Sequence, residues 1–160
     1  MSVKLDVPSL YRRMASWIYE GLLLFALCAI TGLIFGYITQ STHALTHRIE
    51  LQILLVFVMG CYFTWFWSKG QTLAMKTWRF KITNAFGQPV SVKLAALRYA
   101  LSWLWFAPPL IALTFNTLNK FKLYGTLFGW VAVYIAIAWL HPSKQFLHDR
   151  LAGTRLVTVE

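Results

Sequence analysis

Four stretches of the chain stay apolar long enough to form membrane helices, at about 15–38, 51–67, 98–115 and 124–140. A helix needs about 20 mostly apolar residues to cross the hydrocarbon core of a bilayer, with a working range of roughly 17–25. Glu20 alone interrupts the first stretch, near its start, and the second and fourth carry no charge. The third opens on Arg98 and holds Pro108-Pro109 near its middle, which predicts a helix kink. Between the second and third stretches the period changes. Trp78, Phe80 and Ile82 alternate with Arg79 and Lys81, which predicts a strand over 77–83 with one apolar face. Ala85-Phe86-Gly87-Gln88-Pro89 has turn chemistry, and a helical pattern from Val92 leads into the third stretch. After the fourth stretch, Gly153 precedes a β-prone run over 154–159. A lone strand is not stable in water. The two segments are therefore expected to pair at the membrane face, with Trp78 and Phe80 dipping into the interface.

The basic residues orient this bundle. Lys4, Arg12 and Arg13 precede the first stretch, Lys69, Lys76, Arg79, Lys81, Lys93 and Arg98 fall in the long connection, and Lys144, Arg150 and Arg155 follow the fourth. Only Arg48, Lys120 and Lys122 fall on the other side. The positive-inside rule then puts both termini and the long connection in the cytoplasm. The expected fold is an all-α membrane protein of four transmembrane helices with a small cytoplasmic β-like element from 77–83 and 154–159.

Composition sharpens the class. Of 160 residues, 58% are hydrophobic and 12% charged, against about 45–50% and about 25% in soluble domains. That leaves too little charge to cover a water-facing surface, and it excludes a disordered or coiled-coil chain. A net charge of +10 reads as topogenic charge plus attraction to anionic lipid, which is worth about 1 kcal/mol per basic residue near the surface. Nucleic acid is not an expected partner, since no recognition module is present. The apolar run after Tyr11-Arg12-Arg13 is too long for a cleavable signal, so a retained first helix is expected. Cys28 and Cys61 fall inside spans and read as packing residues.

Several strings together resemble the RDD family of small bacterial membrane proteins. They are Arg12-Arg13-Met14-Ala15-Ser16-Trp17-Ile18-Tyr19-Glu20-Gly21, Gly70-Gln71-Thr72-Leu73-Ala74-Met75-Lys76, Gly87-Gln88-Pro89-Val90-Ser91, Arg98, and Leu147-His148-Asp149-Arg150-Leu151-Ala152-Gly153-Thr154. The first family aspartate is Glu20 here, and the family's glycine after Thr-Leu is Ala74. The resemblance implies one membrane domain over 1–160 in the bacterial inner membrane, for which transport is the role commonly proposed.

The residues that could carry chemistry are few. An ionisable group within a span costs at least about 2.5–3.5 kcal/mol at the centre and points to function by default. Glu20 is such a group. Seven residues put Arg13 and Glu20 on one helix face with backbones about 10 Å apart. Asp149, arriving from the tail, and Arg98 are the natural further members. Arg12, Arg13, Glu20, Arg98, His148 and Asp149 thus form a candidate membrane-face charge cluster, either a titratable proton or cation site or a salt-bridged staple. Lys76, Arg79, Lys81 and Arg150 are candidate lipid-headgroup contacts. Gly32-x-x-x-Gly36 and Gly125-x-x-x-Gly129 have helix-packing spacing and raise homo-oligomerisation or a membrane-protein partner. His43 and His47 lack a third ligand, so no metal or other cofactor is expected. Without a nucleophile elbow or phosphate loop, no enzyme is expected. Two functions remain: transport of a small solute or ion, proton-coupled through Glu20 and Asp149, or a non-transporting scaffold that binds lipid or partner proteins.

Overall fold

The computed structural model describes residues 7–40, 46–106, 111, 120–141 and 145–159. Helix α1 (Leu10–Thr39) starts where the Ser9 side chain accepts from the Arg12 amide, and it stops at Gln40 in the left-handed region. Helix α2 spans Arg48–Ser68, α3 Leu73–Thr77 and α4 Val92–Ser102, followed by a 3-10 turn over Trp103–Trp105. Helix α5 covers Lys120–Leu140 and α6 Leu147–Leu151. Strands β1 (Phe80–Asn84) and β2 (Thr154–Thr158) form one antiparallel sheet with Ile82 opposite Leu156.

Helix α1 has the polarity of a membrane helix. Its buried residues are Arg13, Ser16 and Glu20, on one stripe, while Leu22, Phe25, Leu33 and Tyr37 are 66–80% exposed. A soluble domain rarely exposes so much contiguous apolar surface. Two helices, α1 and the one starting at Arg48, are long and apolar enough to cross a membrane, and Tyr124–Leu140 is a shorter apolar helix.

The third stretch departs from the sequence pattern. The helix there begins at Val92, capped by Ser91, and gives way at Trp103 to a 3-10 turn. A proline disfavours the α region in its preceding residue and supplies no donor, and tightening ahead of Pro108 is consistent with that. Pro108 and Pro109 themselves, and with them the expected kink, lie outside the described residues, as do Lys4, His43 and Lys144.

The strand also differs. It starts at Phe80 because Arg79 holds φ at +52°, which ends the alternation, and Trp78 instead caps α3. Phe80 does not dip into the interface. It is 2% exposed and packs with Trp67, Met75, Ile82, Val90, Ala95 and Leu156 in the core beneath the sheet. A second apolar cluster joins Trp105, Tyr134, Ala138 and Phe146.

Both sheet edges are occupied by glutamines. Gln71 Nε2 donates to the Phe80 carbonyl, while Gln145 accepts from the Leu156 amide and donates to its carbonyl. Unpaired edge groups invite aggregation, and here the two glutamine side chains, with the Gly70 carbonyl that accepts from the Ile82 amide, take the place of a third strand.

Candidate functional site

Helices α4, α5 and α6 meet around one buried ion pair. Asp149 is fully buried and Arg98 is 3% exposed. Arg98 Nε donates to Asp149 Oδ1 at 2.7 Å, and Nη2 lies 2.6 Å from the same oxygen. The guanidinium lies 3.9 Å from the centre of the Trp67 ring. Both contacts use one carboxylate oxygen. Asp149 Oδ2 and Arg98 Nη1 are buried with no hydrogen bond among the described residues.

Tyr134 completes the arrangement. Helix α6 begins at Phe146, which has no side-chain oxygen to cap it. The Tyr134 hydroxyl reaches across from α5 and accepts from the His148 amide at 3.1 Å. The same hydroxyl lies 2.9 Å from His148 Nδ1 and donates to it when the ring proton is on Nε2, the tautomer favoured by the Asp149 oxygen on that side. In that tautomer Nδ1 accepts, and the ring proton sits on Nε2, which faces Asp149 Oδ1 at 3.4 Å. Burial pushes the His148 pKa down to about 4, Asp149 opposes the shift and Arg98 reinforces it. The imidazole is neutral at physiological pH.

Arg13 joins from α1, with its guanidinium 4.7 Å from the Phe146 ring centre and within electrostatic reach of Asp149. Glu20 does not join. It occupies a separate polar pocket between α1, α2 and α3, where the Tyr62 hydroxyl donates to Oε1 at 2.6 Å and the Thr72 hydroxyl donates to Oε2. Thr72 also caps α3 by accepting from the Met75 amide. Among the described residues Glu20 has no ion-pair partner.

The residues read as one cluster thus fall into three places. Arg98, His148 and Asp149 come together with Arg13 beside them, Glu20 stands apart, and Arg12 is exposed. Lys76, Arg79, Lys81 and Arg150 are all exposed. Among the described residues nothing lies within 4 Å of where a Cβ would sit on the glycines at 32, 36, 125 and 129, so neither pair packs closely against a described helix. Gly60 does, since a Cβ there would meet the Tyr99 ring at 3.0 Å.

Sequence reasoning missed Tyr134, Tyr62 and Thr72 as partners of the acids. Thr72 had a signal in the Gly-Gln-Thr string. The tyrosines had none, because an aromatic inside an apolar run reads as packing.

The family model for the RDD family matches residues 7–153, nearly the whole chain. The chain belongs to the RDD family. No curated protein and no solved structure matches it. The most distinctive RDD string, Leu147 to Thr154, supplies His148 and Asp149 to the ion-pair pocket and carries the turn into β2. The other strings supply Arg13, Glu20, Thr72 and Arg98, so every stretch that resembles the family except Gly87–Ser91 places a residue in one of the two pockets.

Proposed function

We propose that the protein is a four-span protein of the bacterial cytoplasmic membrane, with both termini inside, that moves a small solute or ion in exchange with or alongside protons. The observation that carries this reading is the fully buried Asp149, whose second oxygen is unpartnered among the described residues. Oδ1 holds both Arg98 contacts, which leaves Oδ2 as the carboxylate oxygen that a transported cation or proton would meet. His148 and Tyr134 adjoin the same carboxylate through a chain of short contacts. Ionisable groups within membrane bundles mark ion and proton pathways. Glu20 is a second buried acid, stabilised by two hydroxyl donors.

The test is flux in proteoliposomes carrying a pH gradient, with sodium, potassium or lithium supplied in turn. The unmodified protein dissipates the gradient with at least one of these cations. Asp149→Asn removes that flux while inserting normally, and Glu20→Gln removes its pH dependence. Absence of flux for the unmodified protein across all the cations would favour the second reading, a non-transporting scaffold on anionic lipid. The exposed Lys76, Lys81, Arg150 and Arg155, none with an acidic partner among the described residues, support that alternative. No enzymatic activity and no cofactor belong to either reading.

A further inference from the structure

Two segments of the chain, 71–84 and 145–158, repeat each other at one constant spacing. Gln145 follows Gln71 by 74 positions (145 less 71), and both glutamines bond a sheet edge. The same step carries α3 (Leu73–Thr77) onto α6 (Leu147–Leu151) and β1 (Phe80–Asn84) onto β2 (Thr154–Thr158). It also carries Arg79 onto Gly153, the residues at φ +52° and +64° that turn each helix into its strand. Each short helix buries its second and third residues, Ala74-Met75 in one and His148-Asp149 in the other. Both strands have the same alternation of burial, with Lys81 and Arg155 outward.

The pairing register makes this more than a repeated motif. Counterpart residues Ile82 and Leu156 lie opposite each other at the centre of the sheet, Phe80 opposite Thr158 and Asn84 opposite Thr154. Two unrelated antiparallel strands need not pair about equivalent positions, whereas two copies related by a two-fold axis must. The first helices follow the same rule. The first helix of each half packs on its own short helix, α1 on α3 and α4 on α6. The second helices differ: α2 packs on α4 of the other half as well as on α1, while α5 packs on α6 and the 3-10 turn of its own half, with Leu10 and Met14 of α1 bordering the cluster that holds its Tyr134 and Ala138. A serine caps the first helix of each half, Ser9 and Ser91.

We infer that the chain is a fused dimer: residues 7–84 and 89–158 are two copies of one unit, and the short helix and strand of each form a homotypic docking surface whose partner is a second copy of itself. The axis passes through the Ile82–Leu156 pair. This inference goes beyond the transport reading and stands on the fold alone. It also relates the two acids. Each half holds one carboxylate where its first helix meets its short helix, offered by the first helix as Glu20 in one half and by the short helix as Asp149 in the other. The counterpart of Asp149 is Met75, so the two pockets are diverged versions of one place in the unit. Parallel repeats of this kind share one orientation in the membrane, which requires the same number of spans in each half.

If the halves are equivalent units, their covalent order is immaterial. The ends are placed for this: Tyr11 stacks edge-on against Trp78, and the Val159 amide donates to the Arg79 carbonyl. The experiment compares two circular permutants of the full chain, each made with Glu160 fused to Met1 directly and through a short Gly/Ser insert. One opens at the boundary between units, starting at Gly87 and ending at Phe86. The other opens inside the first unit, starting at Gly70 and ending at Lys69, at the same membrane face with the same number of spans. The boundary permutant is expected to elute as the parent does in mild detergent and to melt within about 5 °C of it, while the intra-unit permutant melts at least about 10 °C lower. Failure of the boundary permutant with both junctions would overturn the inference, and so would equal stability of the two.

Discussion

Removing the charge of Asp149 leaves the Arg98 guanidinium in a pocket that water does not reach, since the two side chains are 0% and 4% exposed. Breaking a buried pair by deleting one partner costs about 3–5 kcal/mol, because the remaining charge is desolvated without compensation. The Trp67 face beside Arg98 is in place before and after the substitution, so it cancels from the difference. Asp149→Leu is therefore expected to lower the thermal midpoint in mild detergent by about 6–20 °C, at about 2–4 °C per kcal/mol for a chain of this size. The double variant Arg98→Met/Asp149→Leu removes both charges and replaces them with apolar groups of similar volume, a change that is often neutral or stabilising. It is expected to recover the parent's midpoint to within a few degrees. Thermal unfolding of the parent, the single variants Asp149→Leu and Arg98→Met, and the double variant, followed by exposure of buried tryptophan, measures the coupling directly. A single variant that melts with the parent, or a double variant as unstable as the singles, would refute the assignment of this pair as a buried and energetically coupled unit.

Acidification acts on the same pocket through His148. Its folded pKa lies below the unfolded value, so the stability it carries is fully present above about pH 6.5 and is lost as pH falls from there to about 4, by up to about 3 kcal/mol. Melting midpoints taken from pH 7.5 to 4.5 are expected to fall steadily in the parent and to fall less in His148→Gln; identical slopes would contradict the neutral, buried imidazole. Tyr134→Phe removes the acceptor that caps the His148 amide among the described residues and the hydroxyl beside Nδ1, which is expected to cost about 2 kcal/mol. Hydrogen exchange of the His148 amide reads this out, with faster exchange expected in the variant and unchanged protection counting against the capping role.

Much of the fold was legible because long apolar runs and a change of period are physical signals in one dimension. Helices over the first, second and fourth stretches and both strands lie within a few residues of the limits the pattern predicts, whereas the described helix at the third stretch runs only over Val92–Ser102. The misplaced features share a cause. The alternation predicts a strand over 77–83 rather than from Phe80 because it is blind to the positive φ of Arg79, at the turn out of α3. Phe80 was placed at the interface because apolar strand residues look alike whether they meet lipid or a core. The charge cluster divided because helical spacing places Arg13 and Glu20 on one stripe but does not tell which neighbour each meets further along the axis. Glu20 is about 10 Å up the helix, level with Thr72 and Tyr62 rather than with α6. The equivalence of the two sheet segments was hidden for another reason. The copies keep their geometry and their outward cations while their buried pairs, Ala74-Met75 and His148-Asp149, have lost all likeness.

The proposed transport requires the ion-pair pocket to lie at the inner end of a four-span bundle. The most direct measurement is labelling of single cysteines, introduced after replacing Cys28 and Cys61, by a membrane-impermeant thiol reagent on intact cells and on inverted vesicles. Leu45→Cys and Lys120→Cys are expected to react from outside, and Ala85→Cys and Arg155→Cys only in the inverted vesicles. Reaction of Ala85→Cys or Arg155→Cys on intact cells would contradict the account.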